Sequence, residues 1–316
     1  MANLPTKIII TLSSITQAAR PVHWIKNLAL FAALIFTGNL YNEPLFLKVI
    51  WAIVTFNLAT SATYLFNDVL DAKRDSLHPI KKDRPIASGR LSPSFALIVA
   101  LSLAVFALSL AKSLNPLFFF AVAAYLALQA LYSLGLKNLA IIDILIIAAG
   151  FIIRVYAGAF VIDAHLSVWF LLCVISVALF LAAGKRRAEL NLLPSGITRK
   201  SLTNYKRELL NSYVTMFGNA AWMSWALFTF FESPRASLPV WLFLAELSRA
   251  TTVNKLLMVT IPVAIFGIMR YESLIFEGRS EAPEKLLLTD VALISSVVLW
   301  LGLVVWIIYG GIASYV

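Results

Sequence analysis

Three carboxylates, Asp68, Asp71 and Asp75, fall within the stretch NDVLDAKRDSLHPIKKDRPIASG at positions 67–89. Steps of three and four place all three on one face of a helix, one above another. Like charges stacked in that way repel unless something is shared between them. A divalent cation holding a diphosphate is the natural occupant, because Mg²⁺ prefers a few carboxylates together with substrate phosphates. Asn67 adds an amide that can ligate or orient. Lys81, Lys82 and Arg84 follow directly and offer cations for the rest of a polyphosphate. The chemistry implied is metal on one side and phosphate on the other.

The element that carries this motif is apolar along most of its length. Above the aspartates, Asn57, Ser61 and Tyr64 continue the same helical face, forming a polar stripe that either bonds neighbouring helices or lines a path for substrate. The whole chain shares this character. Hydrophobic residues make up 60%, charged residues 13%, and mean hydropathy is +0.86. Nine apolar segments can each span about 30 Å of hydrocarbon: 24–41, 46–66, 95–114, 116–136, 142–162, 167–184, 211–231, 256–276 and 288–309. No soluble domain fits between them, so residues 1–316 read as one polytopic, all-α integral membrane domain. The first segment lacks a small-residue cleavage site and is expected to be a span rather than a signal peptide.

Most of the 26 basic residues fall in the connections expected on one side, together with the aspartate motif. The positive-inside rule places that side in the cytoplasm of a cell (inner) membrane. The net charge of +10 then follows from contact with anionic lipid, and no basic soluble domain exists for nucleic acid. The single cysteine, Cys173, lies in an apolar segment and excludes an intrachain disulfide. The sequence permits a homo-oligomer without specifying one.

Other polar residues interrupt the apolar helices. Gln129, Ser133 and Lys137 follow one another at helical-turn spacing, with Tyr132 beside them. Arg154 lies about 16 Å along the helix from Asp143. It either pairs with a carboxylate on another helix or reaches a substrate phosphate. Gly150 and Gly158 on the same face read as close-packing points. Lys185 opens a basic GKRRAEL run and is the residue placed best for a second phosphate clamp. Arg186 and Arg187 are expected to meet lipid headgroups, and Lys26 either snorkels or binds phosphate.

Together these residues resemble the UbiA superfamily of membrane prenyltransferases, whose helix-end signature N-D-x-x-D-x-x-x-D is matched by Asn67, Asp68, Asp71 and Asp75. Within it the chain is most similar to the decaprenyl-phosphate phosphoribosyltransferase branch. The likeness runs through RPVHWIKN, DSLHPIKKDRPIASG, YSLGLKNLAIID, GFIIRVYAG, ALFLAAGKRRAEL and RYESLIFEGRSEAPEKLLLTD. One departure from the wider superfamily matters: its second aspartate-rich motif is replaced here by GKRRAEL.

The resemblance implies a bundle of about nine helices around a central cavity. It implies Mg²⁺-dependent transfer of 5-phosphoribose from phosphoribosyl pyrophosphate to a polyprenyl phosphate, with release of pyrophosphate, in cell wall biogenesis. It implies that Asp68, Asp71 and Asp75 hold metal and Asn67 orients the donor. Lys81 and Arg84 would bind donor phosphate, and Lys26, Tyr132, Lys137 and Lys185 would line the cavity. The attacking phosphate oxygen is already ionised, so no general base is needed, and His78 is expected to serve loop structure or a ligand hydrogen bond. The rival enzyme reading moves a prenyl group from a prenyl diphosphate to an aromatic or other small acceptor. A transporter is disfavoured, because no internal repeat or matched pair of broken helices is present.

Overall fold

The computed structural model describes residues 4–79, 81–192, 205–232, 234, 251–277, 286 and 289–310. Arg199, Lys200, Arg235, Arg249, Arg279 and Lys285, counted above in the charge distribution, lie outside the described residues, as does part of the 270–290 stretch. The described secondary structure is helical throughout. The helices are α1 (Leu4–Ala19), a 3₁₀ helix (Pro21–Leu30) continued by α2 (Phe31–Phe36), α3 (Glu43–Asp75), α4 (Pro93–Leu114), α5 (Pro116–Leu134) and α6 (Ile142–Val161). They continue with α7 (Val168–Leu192), α8 (Arg207–Phe231), a 3₁₀ helix (Thr251–Thr260), α9 (Ile261–Phe276) and α10 (Val291–Tyr309).

Several spans start in the same way. Asn42, Ser92, Asn115 and Asp290 each cap a helix by accepting a backbone N–H, at Leu45, Phe95, Leu117 and Leu293. Pro93 and Pro116 occupy first helical positions, where the missing donor costs nothing.

Seven described helices are long and apolar enough to cross a membrane: α3 to α6, Val168–Leu190 of α7, Lys255–Phe276 and α10. Large apolar side chains such as Ile98, Leu101, Val105 and Phe106 on α4 stand exposed, which suits lipid rather than water. The other two expected spans are also helical but differ from expectation. Pro21–Phe36 is short, and α8 opens on Arg207, Glu208 and Asn211.

The chain divides into two compact units. The first comprises Met1–Ala32, Asn42–Ile146 and Ile153–Asp163. The second comprises Ala33–Tyr41, Ile147–Ile152 and Ala164–Val316. In the first, Ala18, Leu65, Ala96 and Ala100 form a buried cluster with Ile86 and Leu91, the two apolar anchors of the loop between α3 and α4. That loop carries Arg84 and turns at Gly89, whose φ of 77° is the left-handed region open to glycine. In the second, Phe180, Ala183, Val214, Tyr271, Leu274 and Leu293 pack α7 to α10 together. Phe36 sits among Phe170, Trp225, Phe228 and Trp300 in the same unit.

Candidate active site

The acidic face predicted from spacing is real, and helix α3 runs unbroken through all of it. Asp68, Asp71 and Asp75 are 2%, 7% and 2% exposed, too buried to remain charged without partners. Each has one. Arg84 NH1 lies 3.1 Å from Asp68 Oδ1 and 2.6 Å from Asp75 Oδ2, bridging two turns of the helix. Lys137 Nζ reaches both oxygens of Asp71 and the side-chain oxygen of Asn67. Arg74 lies 3.2 Å from Asp71 on the more exposed side. Among the described residues no three acidic, histidine or cysteine side chains are drawn around one point as metal ligands. The carboxylates are gathered around guanidinium and ammonium groups instead.

Arg20 is the member that sequence reading missed. Its NH2 lies 2.5 Å from Asp68 Oδ1, the oxygen that Arg84 also uses. Its guanidinium rests 4.8 Å from the centre of the Tyr64 ring. Burial and the neighbouring Arg20 charge lower the Arg84 pKa, while Asp68 and Asp75 oppose the shift. Two guanidiniums sharing one oxygen make a site crowded with positive charge.

Arg20 begins a register that organises the polar stripe. Trp24 Nε1 donates to Ser61 Oγ at 3.1 Å, and Asn27 Nδ2 donates to Asn57 Oδ1 at 2.8 Å. Partners of residues 20, 24 and 27 thus descend α3 through 68, 61 and 57, as two antiparallel segments require. The signal was present in the sequence. Arg20, Trp24 and Asn27 are spaced by four and three, matching the steps of the stripe. So Asn57 and Ser61 bond a neighbouring segment, one of the two roles left open for them.

At the inner end Arg154, 5% exposed, donates from Nε to Asn27 Oδ1 at 2.7 Å. Its NH2 donates to the Tyr125 hydroxyl at 2.9 Å. An amide and a phenol accept these two bonds. Gly158 packs as expected: a Cβ there would run into the Leu30 carbonyl oxygen.

Two expectations need correction. Lys137 is not a further turn of the helix carrying Gln129 and Ser133. Helix α5 stops at Leu134, and a short 3₁₀ turn, Leu136–Asn138, delivers Lys137 to Asp71. Arg186 and Arg187 do not meet headgroups. They are 0% and 4% exposed, with Arg186 paired to Glu189 and Arg187 donating to Asn211. The continuous helix α7 carries them inward, a direction that a count of flanking charges cannot reveal. His78 accepts from Lys81 N through Nδ1 at 3.4 Å, which agrees with its loop role. Lys26, Lys81 and Tyr132 are half-buried in the first unit, and Lys185 is half-buried on α7 in the second.

The UbiA prenyltransferase family's sequence model matches residues 27–256. The chain belongs to the UbiA prenyltransferase family. It is similar to the decaprenyl-phosphate phosphoribosyltransferase of Mycolicibacterium smegmatis, with 36% identity over 94% of this chain and 93% of that one. The Corynebacterium glutamicum protein of the same name is 32% identical over 93% of this chain and 86% of its own. Among solved structures, a UbiA homolog from Archaeoglobus fulgidus bound to GPP and Mg²⁺ superimposes with a TM-score of 0.68. It covers 95% of this chain and 99% of that one at 15% identity, a likeness of fold. This UbiA family member is therefore an integral membrane transferase.

Proposed function

We propose that this chain transfers 5-phosphoribose from phosphoribosyl pyrophosphate to a polyprenyl phosphate, releasing pyrophosphate at the cytoplasmic face of the cell membrane. One observation carries the reading. Three buried carboxylates and three cations from separate segments, Arg20, Arg84 and Lys137, share one site, offering ligands to a metal and donors to phosphate. The names of the full-length relatives support this branch over aromatic prenyl transfer, as does a basic run where the wider superfamily carries acids.

The donor set fits a hard divalent cation: three carboxylates and the Asn67 amide supply oxygen only. Arg84 NH1, lying between Asp68 and Asp75, shows that one positive centre satisfies both carboxylates. Asp68, Asp71 and Asp75 would hold Mg²⁺ with Asn67 beside them. When bound, Mg²⁺ neutralises charge building on the departing diphosphate oxygens.

The chain's own residues do the rest. Arg84 and Lys81 hold donor phosphate by charge-assisted hydrogen bonds, which strengthen as negative charge builds on the leaving group. Lys137 fixes Asp71 and Asn67. Lys26 and Tyr132 receive the acceptor phosphate, whose ionised oxygen attacks the ribose carbon as the bond to pyrophosphate breaks. No proton has to be removed, which suits a chain with 3 histidines.

The test uses purified protein in lipid nanodiscs with Mg²⁺, a polyprenyl phosphate, and phosphoribosyl pyrophosphate labelled in the ribose. Label entering organic-extractable lipid, and lost with EDTA, is the expected result. No labelled lipid across several acceptor lengths, with transfer from a prenyl diphosphate instead, would assign the chain to aromatic prenyl transfer.

A further inference from the structure

We propose that Arg20 is a displaceable counter-ion of the acidic site, so that divalent metal enters together with a polyphosphate that takes the guanidinium over. The inference rests on the metal-and-diphosphate reading above and adds how the two ligands depend on each other.

Three features mark Arg20. It is the surplus cation, because Asp68 Oδ1 keeps Arg84 at 3.1 Å when Arg20 departs, whereas Arg84 also holds Asp75. It is within reach of a ligand, with its side chain 22% exposed, close to the 26% of Arg84 and unlike the 4% of Lys137. Its backbone is wound against preference. Arg20 has φ 54° and ψ 64°, a left-handed conformation for a non-glycine residue directly before Pro21. Strain of this kind persists only where surrounding contacts over-determine it, and it clusters at switch and ligand positions. Here the contacts are Asp68 and the face of Tyr64.

The physical consequence is an exchange. A hydrated divalent ion approaching alone must dislodge a guanidinium from Asp68 and leave that charge without a partner. A polyphosphate arriving with the metal offers the guanidinium oxygens in the forked geometry it prefers. Each ligand then favours the other by the same factor, as linkage requires.

Mn²⁺ serves as the probe, with protein in zwitterionic-lipid nanodiscs and bound ion read by electron paramagnetic resonance against matched blanks. Inorganic pyrophosphate is present or absent. Wild type is expected to bind Mn²⁺ weakly alone and more tightly with pyrophosphate. Arg20→Gln should bind Mn²⁺ alone about tenfold more tightly, the effect of removing one nearby unit charge. Arg20→Lys keeps the charge and should stay near wild type, which guards against a folding effect. Asp68→Asn should weaken Mn²⁺ binding in both the wild-type and Arg20→Gln backgrounds. Unchanged or weaker Mn²⁺ binding by Arg20→Gln would overturn the proposal while leaving the metal site intact. No Mn²⁺ bound by wild type even with pyrophosphate would overturn the metal reading and this proposal with it.

Discussion

Lys137 Nζ lies 2.8 and 2.7 Å from the two carboxylate oxygens of Asp71, across 66 residues of sequence. Both residues are buried, at 3% and 7% exposure. Removing one partner from a buried pair strands the other charge, at a cost of about 3 kcal/mol. Lys137→Met and Asp71→Asn should each lower stability by that order. The double variant should fall short of their sum by about 1–3 kcal/mol, because the two share one interaction. Reversible unfolding in mixed micelles measures the cycle, and strict additivity would show the residues act independently.

Asp68 is the cleaner probe of chemistry. Its removal leaves Arg84 on Asp75, so the loop keeps an anchor. Asp68→Asn should reduce transfer about 100-fold, equivalent to ~2.7 kcal/mol of barrier, with an unfolding midpoint near wild type. EDTA should abolish wild-type transfer and excess Mg²⁺ restore it. Near-wild-type turnover by Asp68→Asn would remove this carboxylate from the metal set.

The acidic face and most spans were legible because helical period and apolar length survive in the chain without tertiary information. Asp68, Asp71 and Asp75 needed only steps of three and four. What pairs with them was harder to read. Arg20 looked like one more inside-flank charge, since nothing local says that the chain turns left-handed there and runs back along α3. Lys137 matched a helical period by coincidence, because Gly135 ends the helix before it. Arg186 and Arg187 resembled headgroup anchors, and only packing of α7 to α10 makes their surroundings interior. Spacing gave the residues of one element, and partners from other elements required the fold.

Gly158 tests the seating of the Pro21–Leu30 helix. An added Cβ would run into the Leu30 carbonyl oxygen and lie 2.8 Å from its carbon, both backbone atoms that cannot swing aside. Gly158→Ala should therefore cost about 3 kcal/mol by overpacking. The expected readout is a lowered unfolding midpoint with a parallel loss of transfer. A variant as stable as wild type would show that the two segments separate without penalty.

Arg154 tests whether the inner end of the register matters to the outer end. One planar group bonds in two directions, to Asn27 Oδ1 and to the Tyr125 hydroxyl. A lysine ammonium cannot reproduce that fork. Arg154→Lys should cost about 2 kcal/mol through the buried acceptors it leaves unmet. Asn27 also donates to Asn57, so its loosening should slacken the segment that presents Arg20 to Asp68. Hydrogen exchange at Ile25–Leu30 should accelerate, and turnover should fall several-fold despite the distance along the register. Exchange unchanged in this segment, with turnover intact, would show that Asn27 holds its register on α3 without Arg154.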